Sequence, residues 1–359
     1  MSHLSAFRTA MIDAGFDAAI ISDNLNQHYL SGFAFDDGYL LITKGDSYLL
    51  TDFRYVEAAK KEATAELTVL TPAHGHVTEM AALLAENGCK EVAVEDESMS
   101  LSIFSRFEEK LSDYHLASGA SRLLGELRLY KDEEELCAIA RAQAVTDAAF
   151  SHILKVLHPE MTEVDVALEL EFFMRKNGAD GLAFSTIAVS GSASALPHGV
   201  PRRCKLERGF LTMDFGARVG GYCSDMTRTV VLGRADAEIK KLYGTVLAAQ
   251  RAALELAAEG VSCREMDRVA RDLINNAGYE GRFGHSLGHG VGMFIHENPR
   301  LASSAAPESV LRRGHVVTVE PGIYIEGKYG CRIEDMIAVT PEGKIQNFTK
   351  SPKELIELF

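Results

Sequence analysis

Residues 284–335 open with three clustered histidines among glycines, His285, His289 and His296, followed by carboxylates in strand-like surroundings, Glu320 and the adjacent Glu334 and Asp335. Imidazole nitrogens and carboxylate oxygens are ligands for divalent first-row metals. Upstream, MDFGARVGGYCSDMTRT carries another acidic pair, Asp214 and Asp225, on either side of a Val-Gly-Gly turn. Residues equidistant from a hairpin turn lie opposite each other, with Cβ atoms about 5 Å apart on one face. An unbulged hairpin then sets Asp214 against Asp225, and a turn centred on Gly327 sets Glu320 against Glu334. Asp335 competes with Glu334, because strand neighbours point to opposite faces and only one can enter a shared site.

Four carboxylates meeting in one place repel, and without counter-ions some must stay protonated. Two divalent cations offset that charge. Metals about 3.5–4 Å apart also lower the pKa of a shared water and polarise a carbonyl. The set Asp214, Asp225, His289, Glu320 and Glu334 suits such a site. Only one histidine need be a ligand, which leaves the others for hydrogen bonds to a substrate or an oxyanion. Any one of these acids alone has the solvated strand residue as its rival reading; the weight lies in the mirrored hairpins taken with the His-rich loop.

The elements that must position these residues are stated twice. A helical stripe of Leu136, Ile139, Ala140, Phe150, Ile153, Leu154 and Leu157 leads to a second helix, opened by Thr162 and carrying Val166, Leu170 and Phe173. A Gly- and Ser-rich loop with Pro197-His198-Gly199 follows, then Arg208-Gly209 and the first acidic hairpin. The second pass has a helix near 237–258 and another opened by Ser262, with Glu265 three residues on as in a capping box. The His-rich loop, Arg313-Gly314 and the second hairpin complete it. Ser262 follows Thr162 by 100 residues, Gly314 follows Gly209 by 105, and Glu320 follows Asp214 by 106. Two such halves facing each other bring equivalent hairpins around one pseudo-twofold centre.

Residues 1–122 read differently, as short apolar strands (18–21, 39–42, 48–50, 67–70, 92–94) alternating with helices (55–62, 77–86, 103–111). An amphipathic helix with Leu4, Phe7, Met11 and Ile12 precedes them, and Lys44-Gly45-Asp46 marks a hairpin. This predicts an N-terminal α/β domain with a mixed sheet, then a duplicated α+β domain over 123–359. The first domain lacks a phosphate loop and a GxGxxG fingerprint. Its His28, His74, His76 and His115 have no acidic partners at ligand spacing, so it reads as a cover or an oligomer contact. His315 reads as structural, and His3, His152 and His158 are given no role.

Composition excludes several classes. The 359 residues are 47% apolar and 25% charged, as expected of a globular chain with a sizeable core. No apolar run reaches eighteen residues, and the N-terminus lacks a signal-peptide pattern, so no membrane association is expected. A net charge of -14 disfavours nucleic-acid binding. The six cysteines are scattered with no CxxC pair, which argues against a disulfide framework and fits the cytoplasm.

The motifs LPHG (196–199), MDFGA (213–217), SDMTRT (224–229), GHSLGHGVG (284–292), HENP (296–299), VEPGIY (319–324) and RIEDM (332–336) resemble, in order and spacing, those of the pita-bread metallopeptidases. That family includes methionine aminopeptidases and prolidases. Within it, LSGF (30–33) and TDFRY (51–55) of the first domain are similar to the Xaa-Pro aminopeptidase and prolidase branch. The resemblance implies metal ligands Asp214, Asp225, His289, Glu320 and Glu334, with Asp225 and Glu334 bridging two metals, and it prefers Glu334 over Asp335. It implies that Glu320 is the proton acceptor, that His198, His285 and His296 contact the scissile carbonyl and the proline side of the substrate, and that Arg332 supports the ligands. The implied activity is Xaa-Pro aminopeptidase, with Xaa-Pro dipeptidase as the alternative and an inactive binding module on the same fold as a reading of another class. A creatinase-like enzyme without metals is disfavoured by the intact ligand set. Manganese is the expected metal, with cobalt or zinc next, because oxygen-rich ligation selects weakly among them. A proline-containing peptide is the expected substrate and a homodimer the expected assembly.

Overall fold

The computed structural model describes residues 2–359, which form two compact units, one ending at Arg128 and the other Leu129–Phe359. In the first, strands β1 (Ala18–Ile21), β2 (Gly38–Thr43), β3 (Ser47–Thr51), β4 (Thr68–Leu70), β5 (Glu91–Val94) and β6 (His115–Ser118) make one sheet, ordered β4-β3-β2-β1-β5-β6. It is mixed, as expected: β1–β2 and β2–β3 are antiparallel, the remaining pairs parallel. Helices α1 (His3–Asp13), α2 (Asn24–Ser31), α3 (Val56–Glu62), α4 (His76–Glu86), α5 (Leu101–Lys110) and α6 (Ala120–Arg128) belong to this unit. The boundary expected between 122 and 123 falls inside α6. Leu123 and Leu124 are buried and α6 packs on α1, so the chain leaves this unit only after the helix ends.

The second unit opens with α7 (Glu133–Val156) and α8 (Glu163–Lys176), then β7 (Gly181–Leu182), β8 (Ile187–Ser190) and a 3₁₀ turn (Gly191–Ala195). The first hairpin is β9 (Gly209–Phe215), β10 (Ala217–Val219), β11 (Tyr222–Cys223) and β12 (Met226–Leu232). The second pass gives α9 (Ala237–Leu256), α10 (Cys263–Ile274), β13 (Gly288–Gly290), β14 (Glu297–Leu301), β15 (Val316–Val319), β16 (Gly322–Ile325), β17 (Tyr329–Arg332) and β18 (Asp335–Val339). Short strands β19 (Ile345–Asn347) and β20 (Glu357–Leu358) extend the two sheets, ordered β20-β12-β9-β8 and β14-β13-β15-β18-β19. Each half has its own apolar core, one around Phe150, Leu170, Met213 and Val230, the other around Val246, Met266, Leu287 and Val317. Among the described residues no helix is long and apolar enough to cross a membrane.

The duplication extends to the helix starts, where Thr162 bridges Lys205 and Ser262 bridges Val310. Their caps differ. Thr162 and Asp165 close a capping box, whereas Ser262 makes no side-chain cap. The box expected at Ser262 stays open: the Glu265 N–H goes to the Ser262 carbonyl at 3.0 Å, and the Glu265 carboxylate lies 3.1 Å from Arg268.

Register corrects one hairpin and supports the other. Val219 pairs with Tyr222 across Gly220-Gly221, so Asp214 lies opposite Thr227 and not Asp225. The true turn centre is one residue later than expected, which moves the partner by two and leaves Asp225 diagonal to Asp214. In the second hairpin Gly322 pairs with Arg332 and Val319 with Asp335, which sets Glu320 level with Glu334 about Gly327 as expected.

His315 is structural and buried. It packs beside Tyr130, Lys131 and Arg312, and its Nδ1 accepts the Arg312 backbone N–H at 3.2 Å. Burial first, then Lys131 and Arg312, push its pKa down to about 4. The folded state thus resists a proton that the unfolded chain accepts near 6.5. Stability present above pH 6.5 is lost as pH falls toward 4, by about 3 kcal/mol from this group. Thermal melts between pH 7 and 4 should show a shallower decline for His315→Gln than for the wild type; parallel declines would remove His315 as a contributor.

Candidate metal centre

The floor of a deep cavity in the second unit is built by two hairpins and one short strand. Strand β13 carries His289 between two glycines. A Cβ on Gly288 would collide with the Thr318 carbonyl, and one on Gly290 with the Asn298 carbonyl, so β13 can lie this close to its neighbours only with glycine at both places. His289 Nδ1 donates to the Gly290 carbonyl at 3.0 Å. That fixes the tautomer and leaves Nε2 as the bare nitrogen, 3.5 Å from Asp225 Oδ2 and 3.4 Å from Glu320 Oε1. Asp225, His289 and Glu334 each bring a ligand atom within 4.8 Å of the other two.

The surrounding bonds orient each carboxylate. Thr227 donates to Glu334 Oε2 at 2.7 Å, and Arg332 donates to Asp214 Oδ2 at 2.6 Å. Thr318 accepts the His289 backbone N–H at 3.1 Å and donates to Glu320 Oε1 at 3.2 Å. Arg332 also donates to Thr227 and, at 2.7 Å, to Tyr324. Asp335 faces the other way. Its oxygens bind Arg228 at 2.8 Å and Lys353 at 2.5 Å. Burial would raise its pKa, but those two cations outweigh burial and hold it low. The choice between Glu334 and Asp335 is thereby decided by strand alternation.

The electrostatics are those of an anionic cluster that wants a cation. Burial pushes Asp225 and Glu334 well above the usual carboxylate range, and the neighbouring acids push them further. Glu320, with 15% of its side chain exposed, is raised to about 8, again by burial first and then by Asp214. Burial holds His289 neutral, down to about 3. Asp214 Oδ1 and Glu334 Oε1 are buried and have no hydrogen-bond partner among the described residues. Such oxygens are costly unless something positive meets them. The donor set, four carboxylates and one imidazole, therefore fits hard-to-borderline divalent cations.

The cavity above holds about 550 Å³, and its lining includes all nine residues expected at the site: His198, Asp214, Asp225, His285, His289, His296, Glu320, Arg332 and Glu334. The His296 ring stands nearly perpendicular to that of His289, centroids 4.5 Å apart. His285 differs from the expectation of a direct substrate contact. Its Nδ1 donates to the Ser286 carbonyl at 2.8 Å, and its Nε2 lies 3.0 Å from the Tyr324 hydroxyl. Arg332 donates to that hydroxyl, so the tyrosine proton goes to His285, and burial keeps the ring neutral near pKa 4. Both nitrogens are thus engaged, whereas His198 and His296, of the histidines lining this cavity, have no hydrogen-bond partner among the described residues. Tyr324, Thr227 and Thr318 escaped sequence reasoning. Thr227 lies two residues beyond Asp225, on the same strand face, and that spacing is the signal that could have found it.

Residues 137–341 match metallopeptidase family M24, and residues 3–130 match the creatinase/prolidase N-terminal domain. The chain is 42% identical to a structure described as an Xaa-Pro dipeptidase from Bacillus anthracis, with 99% of both chains covered and a TM-score of 0.94. A structure described as an X-Pro aminopeptidase from Thermotoga maritima is 36% identical, with 98% of this chain and 100% of the other covered and a TM-score of 0.90. A curated Xaa-Pro dipeptidase of Pyrococcus horikoshii is 37% identical, over 95% of this chain and 94% of the relative.

Proposed function

The chain belongs to metallopeptidase family M24, and on that premise we propose that it is an Xaa-Pro aminopeptidase, cleaving the bond between an N-terminal residue and proline with two divalent cations. The observation that carries this reading is the buried cluster of four acids and one histidine, two of its oxygens unpartnered, at the floor of a histidine-rimmed cavity. Asp214, Asp225, His289, Glu320 and Glu334 would hold the cations. When bound, these supply Lewis-acid polarisation of the scissile carbonyl and a lowered pKa for the attacking water.

The chain's own residues do the rest. Glu320, oriented by Thr318, takes a proton from the attacking water and returns it to the imino nitrogen as the bond breaks. His198 and His296, at the cavity wall, donate to the developing oxyanion and hold the proline side. Arg332 fixes Asp214 and Tyr324, and Tyr324 fixes His285.

The names of two relatives favour a second reading, the same chemistry confined to Xaa-Pro dipeptides. A metal-supplemented assay on Ala-Pro and Ala-Pro-Ala-Ala separates the two. Cleavage of both is expected; cleavage of Ala-Pro alone would reduce the assignment to a dipeptidase, and cleavage of neither would sink it. We assign manganese as the metal, which elemental analysis of native protein tests, and a homodimer, which sedimentation tests. Six free cysteines support a cytoplasmic location, open to fractionation.

A further inference from the structure

The two halves of the second unit differ at one crevice, and the duplication supplies the comparison. Between α8 or α10 and the strand that follows, the halves keep a constant offset of 100 residues, with glycines at 178 and 278 and again at 181 and 281. In the second half the crevice is filled. Arg271 pairs with Asp267 at 2.8 Å and donates to the carbonyls of Phe283 at 2.6 Å and His285 at 2.8 Å. Asp267 in turn accepts the Leu287 backbone N–H at 3.0 Å.

One hundred residues earlier, the same positions hold Ala167 and Glu171, and the places of Phe283, His285 and Leu287 are taken by Ala183, Ser185 and Ile187. The plug is missing, and a cavity of about 570 Å³ opens there, walled by Ala167, Leu168, Glu171 and Leu182. Among the described residues Glu171 has no hydrogen-bond or ion-pair partner. Outside, Leu168 and Phe172 are 44% and 70% exposed where α10 sets Arg268 and Asp272, joined at 3.3 Å. Phe184, Ser185, Thr186 and Pro201 line this crevice and the cavity above the acid cluster alike, so the two spaces adjoin.

We propose that this crevice binds the part of a peptide substrate that follows the proline, and that Glu171 selects a cationic side chain there. The proposal rests on the reading of the site as an Xaa-Pro peptidase. An enzyme that removes the first residue must hold the amino terminus at a closed end, so only chain beyond the scissile bond can leave along an open groove. The apolar wall suits the stem of lysine or arginine while Glu171 meets its charged tip. In the second half the protein fills the equivalent place with its own guanidinium, from Arg271.

The test compares kcat/KM for Ala-Pro, Ala-Pro-Ala-Arg and Ala-Pro-Ala-Glu in metal-loaded wild type, Glu171→Gln and Glu171→Lys at low salt. The Arg-to-Glu peptide ratio should fall about threefold in Glu171→Gln and further in Glu171→Lys. A ratio taken within one variant is independent of how much of it folds. An unchanged ratio in both variants overturns the crevice assignment, as does a wild type that cleaves Ala-Pro but neither tetrapeptide; in both cases Ala-Pro turnover shows that the site reading stands. No turnover of any peptide overturns the site reading and the crevice with it.

Discussion

Asp225→Asn is expected to cut metal-dependent hydrolysis on the order of a thousandfold while leaving the metal-free protein at least as stable as the wild type. Asparagine keeps the shape of aspartate and removes one of the buried charges that Glu334, Asp214 and Glu320 oppose. The metal-free fold therefore loses a repulsion, not a support. With cation the order reverses. A ligand present at a hundred times its dissociation constant stabilises by about 2.7 kcal/mol, or roughly 5–10 °C for a unit of this size. The wild type should show that rise on adding manganese, and the variant should show little of it. Turnover near the wild-type rate, or a full metal-induced shift, would remove Asp225 from the site.

Arg332→Met should do the opposite to the metal-free protein. This guanidinium is buried and spends its donors on Asp214, Thr227, Tyr324 and the Pro197 carbonyl. Deleting it leaves the acids around it with no buried cation in their midst, a loss of about 3–5 kcal/mol. Activity should fall too, because Asp214 loses the bond that aims it. Arg332→Lys should recover little of either, since a point ammonium cannot reach four partners from one plane. Melts of the chelated proteins would read the contrast directly: Asp225→Asn at or above wild type, Arg332→Met well below. If both variants shift the same way, the cluster's charge balance is not what holds it.

What was legible in the sequence was what repeats. The paired helices, the glycine spacing and the acid positions each occur twice, so one copy checks the other. The turn at Gly327 has a single geometric centre, and the level pairing of Glu320 with Glu334 follows from it. The first hairpin offers two adjacent glycines, and choosing the wrong centre displaced the Asp214 partner by two residues. Tyr324 and the engaged state of His285 were out of reach, because they depend on a hydroxyl and an imidazole 39 residues apart. Helix α2 was missed for a related reason. Its run NLNQHYLS has no apolar stripe, and the helix is held by bonds such as Gln27 to the carbonyls of Ile21 and Gly38.

Strand β13 sets a boundary on how this protein can vary. Its histidine is flanked by two positions where any side chain would strike a neighbouring backbone. Backbone cannot swing aside as a lysine tip can, so no single substitution there is close to neutral. Drift around His289 is therefore shut on both sides, whereas the outward face of α8 is open to it. New substrate preferences would accumulate along that helix while the imidazole stays where it is.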